Sequence, residues 1–250
     1  MPAGELKRAA ILFAPHPDDE TLACGGTLIK KRQAGADVHV VYMTDGCRSH
    51  HQLMPETRMA RIRMAEARMA CHVLGLDASA PIFLEHHDGK LISQQSVAIH
   101  QVQRLVDRLR PEVVYIPYRL EPPRDHRATH QIVRQALIDL TWSGRIYEYP
   151  VWFWHHWPWV PLSRRRVAHT VLAIQQSLRM QTKFICDFNC AVTISDVLSI
   201  KIKALAEYRS QMTRLVADQK WAILGDVAKG DFLKQFSQSK ELFFSYDFRP

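Results

Sequence analysis

The segment Ala14–Glu20 reads APHPDDE and brings one histidine and two adjacent aspartates, His16, Asp18 and Asp19, directly after an apolar run. Imidazole nitrogen and carboxylate oxygen are donors that Zn2+ accepts at about 2.0–2.2 Å. A catalytic zinc needs three protein ligands, an open position for water and a free carboxylate to receive that water's proton. Two consecutive carboxylates in a tight turn cannot easily point the same way. One can therefore bind metal while the other faces the open position. A helix start would account for each acid singly, since acidic residues and proline favour the first turn. It would not account for a histidine and two acids meeting at the end of the first buried strand, so the metal reading is preferred.

A third ligand is expected from the carboxyl end of another strand. After Glu112–Pro117 comes a loop and then Asp125-His126, which places His126 past a strand and at a helix start, as His16 is. His130 lies four residues on and shares that helix face. The Glu of a zincin motif is missing between them, which leaves His130 a supporting or ordinary packing histidine. Asp125 is expected to orient a neighbouring histidine, because metal ligands need a partner behind them.

The elements that must position these residues alternate. Strands are predicted at Ala9–Ala14, Val38–Met43, Pro81–Leu84 and Glu112–Pro117, and helices at Glu20–Gln33, Glu56–Leu74, Ser93–Leu109 and His126–Leu140. Short apolar runs between longer helical patterns imply right-handed βαβ units and a Rossmann-like α/β fold, its mainly parallel sheet flanked by helices. In such a sheet ligands bind beyond the carboxyl ends of the strands. The remainder reads as a strand at Arg145–Trp154, a helix at Arg166–Met180, a strand at Ala191–Ile194, and a helix capped by Ser195 and running to about Thr213. No linker divides the chain, so residues 1–250 are expected to form one domain, with a less typical Trp- and Arg-rich segment at about 151–183.

Composition narrows the class. With 47% hydrophobic and 23% charged residues, the chain matches a soluble globular protein. It has no apolar run of about 18 residues and no signal-peptide core, so a cytoplasmic location is expected. Five cysteines at scattered spacings read as reduced thiols. The net charge of +8 is concentrated: Tyr149 to Cys186 holds no acid but contains Arg164, Arg165, Arg166, Arg179 and Lys183. A local basic patch argues against nucleic acid as the partner and is compatible with an anionic ligand or peripheral membrane contact.

The chain resembles the LmbE/PIG-L family of zinc-dependent N-deacetylases, whose relatives include the GlcNAc-PI de-N-acetylase. The carrier is PHPDDE at Pro15–Glu20, similar to the family's (A/P)HPDDE signature. The resemblance implies zinc ligation by His16 and Asp19, with Asp18 as general base. Its second motif, HPDH, is matched by Asp125 and His126, which makes His126 the third ligand. Thr44-Asp45-Gly46, Arg63 with Glu66, Asp88-Gly89, and Lys203 through Ser210-Gln211 resemble further family segments. By that resemblance Arg63 reaches the sugar and Asp88 contacts a sugar hydroxyl. The implied activity is removal of an N-acyl group, acetyl foremost, from a small-molecule or a lipid- or polymer-linked amino sugar.

One departure stands out. The first histidine of HPDH corresponds here to Pro123, within EPPRDH. Arg124, His130, His155 and His156 are the candidates to take over its work, or zinc alone polarises the carbonyl. The departure also motivates a second reading, a non-catalytic zinc- or sugar-binding protein on the same fold; an intact Asp18 argues against it. In the 151–183 segment, Trp152, Trp154, Trp157 and Trp159 either fill one strand face or, with Arg164, Arg165 and Arg166, line an entrance for an anionic or lipid-linked sugar.

Overall fold

The computed structural model describes residues 1–156, 158–161 and 167–250, with backbone alone over 167–173 and at 176. Trp157 and the three arginines 164–166 lie outside the described residues, and so do the side chains of Val167 and Val171. After a short helix α1 (Ala3–Leu6), the chain alternates as β1 (Ala10–Ala14), α2 (Asp19–Gln33), β2 (Val38–Thr44), α3 (Glu56–Val73) and β3 (Pro81–His86). It continues through α4 (Gln95–Leu109), β4 (Val113–Pro117), α5 (Arg124–Asp139) and β5 (Gly144–Tyr149). These five strands pair in parallel in the order β3-β2-β1-β4-β5.

Every residue of β1 is buried, because helices cover both faces of a parallel sheet and each strand becomes one continuous apolar run. Leu12 and Ala14 face one layer, with α2, α3 and the later α7 (Leu198–Ala206). Ile11 and Phe13 face the other layer, formed by α4 and α5. The chain leaves β1 toward β2 on one side, whereas β4 pairs on the other. A crevice therefore opens beyond the carboxyl ends of β1 and β4, the topological switch point where such sheets bind ligands. The sequence places His16 and His126 at those two ends.

The C-terminal part departs from the sequence expectation in three places. The strand expected at Arg145–Trp154 stops at Tyr149, and Trp152–His155 forms a 3-10 turn. Pro150 interrupts it, and the buried carboxylate of Glu121 collects the N–H groups of Val151, Trp152 and Phe153 at 3.0, 2.8 and 2.9 Å. Ser195 does not cap the next helix: α7 begins at Leu198 behind Val197, without a side-chain cap. It ends at Ala206, and a bend at Tyr208 (φ −76°, ψ 59°) separates it from α8 (Arg209–Met212). The helix expected at Arg166–Met180 runs further, as α6 (Val167–Asp187).

Two strands complete the sheet. β6 (Cys190–Thr193) corresponds to the expected strand at Ala191–Ile194, whereas β7 (Lys240–Phe248) had no counterpart in the sequence reading. β7 inserts between β5 and β6, antiparallel to both. Gly26 allows α2 to approach this region closely, since a Cβ there would sit 2.6 to 2.8 Å from the side chain of Ile194. No helix among the described residues is long and apolar enough to cross a membrane.

A buried ion pair locks β7 to the helical layer. Glu241 on β7 meets Lys201 Nζ of α7 at 2.8 Å and accepts the N–H groups of Gly26 and Thr27 at 2.8 and 2.7 Å. Removing one partner of a buried pair strands the other charge, at a cost of about 3–5 kcal/mol. Glu241→Ala should lower unfolding stability by about that much in urea titrations, whereas exposed Lys203→Ala should change it little.

Candidate metal centre and active site

The loop between β1 and α2 is tightly wound, and Asp18 holds it with φ 126°, a conformation rarely adopted by side-chain-bearing residues. The consequence is a parting of the two carboxylates. Asp19 Oδ2 lies 3.3 Å from His16 Nδ1 and 3.3 Å from His126 Nε2, and it accepts the His16 N–H at 3.0 Å. Asp18 Oδ2 instead meets the Arg63 guanidinium at 2.9 Å.

His16, Asp19 and His126 thus each direct one donor atom to a common point, all within 4.8 Å of one another. The donors suit a metal ion chemically, two imidazole nitrogens and one carboxylate oxygen. His126 supplies the sharper test. Its ring is fully buried and neither nitrogen makes an aligned hydrogen bond, although Asp19 and Glu121 approach to 3.3 and 3.1 Å. A buried imidazole with nothing to bond is costly, and a cation between it and Asp19 would satisfy it.

The remaining acids act on the histidines from behind. Asp125 Oδ2 lies 3.5 Å from His16 Nε2, and its two oxygens accept the N–H groups of Gly89 and Leu91 at 2.6 and 3.4 Å. Asp88 Oδ1 is 3.4 Å from the same Nε2. These two carboxylates lie at the Nε2 edge of the ring, away from the Nδ1 that faces Asp19. Burial would depress the His16 imidazole, but Asp125, Asp19 and Asp88 together hold it well above its ordinary range. Burial would raise Asp19, and His126 and His16 outweigh it to hold that carboxylate low. Burial pushes Asp18 up to about 7, against the pull of Arg63.

A cavity of about 340 Å³ opens onto this cluster. His16, Asp18, Asp19, Asp88 and Arg63 line it, together with Trp152, Phe232, Pro123 and Arg124. Trp152 stacks on Phe232 at 4.8 Å. Trp154 is buried and packs with half-buried Trp159 and Phe184 against the core, and none of the three lines this cavity. Arg63 is 3% exposed and spends its guanidinium on Asp18, Gly46 and Pro17. It contacts Asp18 and also lines the cavity, where the family resemblance implies contact with sugar.

His130 is not part of the donor cluster; its Nδ1 bonds the Pro117 carbonyl at 3.0 Å. Of the residues considered as replacements for the missing motif histidine, Arg124 lines the cavity, while His130, His155 and His156 do not. Glu66 is turned from Arg63 toward α8, accepting the Ser210 N–H and hydroxyl at 2.7 Å each. Gln211 beside it lines the cavity. Two buried acids escaped the sequence reading. Glu121 stands behind His126, and Glu20 accepts the Asp18 N–H at 3.2 Å and the Tyr208 hydroxyl at 2.5 Å. Their signal was present: an acid inside the loop after β4, and a third acid closing PHPDDE.

Fold and cavity together define an α/β protein with a candidate metal centre at its switch point. The family model for the GlcNAc-PI de-N-acetylase, PIG-L, matches residues 11–137, just over half of the chain, and the chain belongs to that family. A relative from Mycobacterium sp. (strain KMS), a 1D-myo-inositol 2-acetamido-2-deoxy-alpha-D-glucopyranoside deacetylase, is 24% identical over 260 residues, covering 90% of this chain and 80% of its own. The fold is shared with the N,N'-diacetylchitobiose deacetylase of Pyrococcus horikoshii at a TM-score of 0.65 and 21% identity, over 96% of this chain and 84% of that one. It is also shared with the 4-carboxy-2-hydroxymuconate hydratase GalB of Pseudomonas putida, at a TM-score of 0.60 and 15% identity over 97% of both chains. The fold alone therefore does not name the reaction, and the side chains must.

Alanine at His16, Asp19 or His126 should each remove metal binding at this cluster. Glu121→Gln should weaken it by about 10–100-fold, the usual effect of losing the group behind a ligating histidine. Competition against a chromophoric chelator measures both effects, and unchanged affinity in all four variants would refute the donor assignment.

Proposed function

We propose that the chain is a zinc-dependent N-deacetylase that hydrolyses the acetamide of an N-acetylglucosamine-containing substrate. The observation that carries this reading is the division of labour between neighbouring acids, Asp19 turned to two imidazoles and Asp18 held apart in the same cavity. The names of the relatives support the amino-sugar amide as substrate class, and the donor set supports zinc. A binding protein would have no use for a second carboxylate beside the metal cluster.

His16, Asp19 and His126 would hold the zinc ion, which would supply Lewis acidity for acidifying water and polarising a carbonyl. Asp18 receives the proton of the attacking water. Arg63 fixes that carboxylate in place by a charged contact at 2.9 Å. Pro123 brings no proton donor to the cavity, and the guanidinium of Arg124 does not give up a proton. Asp18 therefore carries the proton onward to the leaving amine. Trp152 and Phe232 offer flat apolar area for a sugar face, and Asp88 and Gln211 offer polar atoms for its hydroxyls.

The test is amine release from a panel of N-acetylglucosaminyl compounds, run with Asp18→Asn beside the parent. The variant keeps shape and metal but loses the proton acceptor, so kcat should fall by ~10²-fold or more with KM little changed. Near-normal turnover in a metal-loaded Asp18→Asn protein would exclude the general-base role. Absence of amine release from the whole panel by the parent would exclude the substrate class.

A further inference from the structure

A second constellation of metal-ligating side chains lies outside the deacetylase centre. Cys47 in the loop after β2, Glu56 at the start of α3 and His87 after β3 bring Sγ, a carboxylate oxygen and Nε2 within 4.8 Å of one another. His87 Nε2 is 3.1 Å from Glu56 Oε2 and 4.0 Å from Cys47 Sγ. The other ring nitrogen, Nδ1, lies 2.7 Å from the Asp88 carbonyl and must donate to it. In the neutral ring that bond leaves Nε2 with a lone pair, facing a carboxylate. Two acceptors at that separation need a cation between them, either a proton or a metal ion. A histidine anchored by Nδ1–H to a backbone carbonyl, with Nε2 free, is the arrangement that metal-ligating histidines usually adopt.

We propose that Cys47, Glu56 and His87 form a second divalent-metal site, with the thiolate, imidazole and carboxylate donors that select a zinc-class ion. Cys47 is only 2% exposed, which shields its Sγ from bulk water beside the other two donors. Asp45 Oδ1 accepts both the Cys47 and the Asp88 N–H at 3.1 Å, which fixes the two donor loops side by side. Arg48 approaches the far oxygen of Glu56 at 3.9 Å and leaves Oε2 to the site. His87 precedes Asp88, whose carboxylate lines the catalytic cavity, so an ion here braces the wall that meets the substrate.

Cobalt(II) separates the two centres, because only a thiolate ligand gives a sulfur-to-cobalt charge-transfer band in the near ultraviolet. Chelator-stripped protein, kept reduced with a phosphine, is titrated with cobalt(II). The parent should develop the band, saturating at one equivalent of thiolate-bound ion, and His126→Ala should retain it. Cys47→Ser and His87→Gln should lose it while keeping the parent's circular dichroism. His87 is partly exposed, so its variant carries the test if Cys47→Ser misfolds. A band missing from the parent, or one that survives in His87→Gln, overturns the second site. If visible cobalt absorbance persists without the band, the catalytic cluster stands and this proposal falls. If the band persists but His126→Ala leaves the visible absorbance unchanged, the second site stands and the catalytic cluster is the reading that fails.

Discussion

Crowded negative charge is the constraint around which the molecule is organised. Asp18, Asp19, Asp88 and Asp125 share one cavity with His16, and within it Arg63 is the cation bonded to one of them. Two like charges about 4 Å apart repel by about 4 kcal/mol at an effective dielectric of 20. Such a cluster persists in a folded chain only when backbone N–H groups, imidazoles and a cation offset it. Gly89, Leu91 and Arg48 donate N–H groups to Asp125 and Asp88, and His16 stands between three of the acids. A divalent ion against His16, Asp19 and His126, as proposed, would remove much of the remaining repulsion.

The rest of the scaffold holds these groups in register. The switch point places the β1 and β4 loops across one crevice, and buried acids then tie distant segments to it. Glu121 joins the turn after β5 to His126, Glu20 joins Tyr208 to the Asp18 loop, and Glu66 joins α8 to α3. Each is a carboxylate with several donors, which makes it a rigid brace. Substitution of any one acts on the site through geometry, at a distance from the reacting atoms.

The parallel half of the fold was legible because its strands are uniform apolar runs and two of its helices are followed by glycines, Gly35 and Gly75, which take positive φ there. The meeting of His16, Asp19 and His126 was legible because HPDDE and DH each sit at a strand's carboxyl end. The third dimension was not. Arg63 could be placed near the site by resemblance, but its contact with Asp18 depends on how α3 packs. β7 was missed because its alternation of apolar and charged residues is broken, with Phe243 and Phe244 adjacent. Glu121 was missed because its partners, the N–H groups of residues 151–153, lie 30 positions away and have no side-chain signature. The Trp-rich segment stayed open between a strand face and an entrance, because its side chains divide: Trp154 is 8% exposed, whereas Trp152 lines the cavity.

The central claim is that water, activated within this acidic cluster, cleaves an amide of an amino sugar. The most direct measurement uses heavy-oxygen water with chelator-stripped protein, before and after zinc is restored, on an N-acetylglucosaminyl compound that the protein turns over. The account predicts one labelled oxygen in each released acetate, one free amine per acetate, and neither product until zinc is restored. Label retained in a hydrated sugar product without free amine, or equal acetate release by the stripped protein, would contradict it.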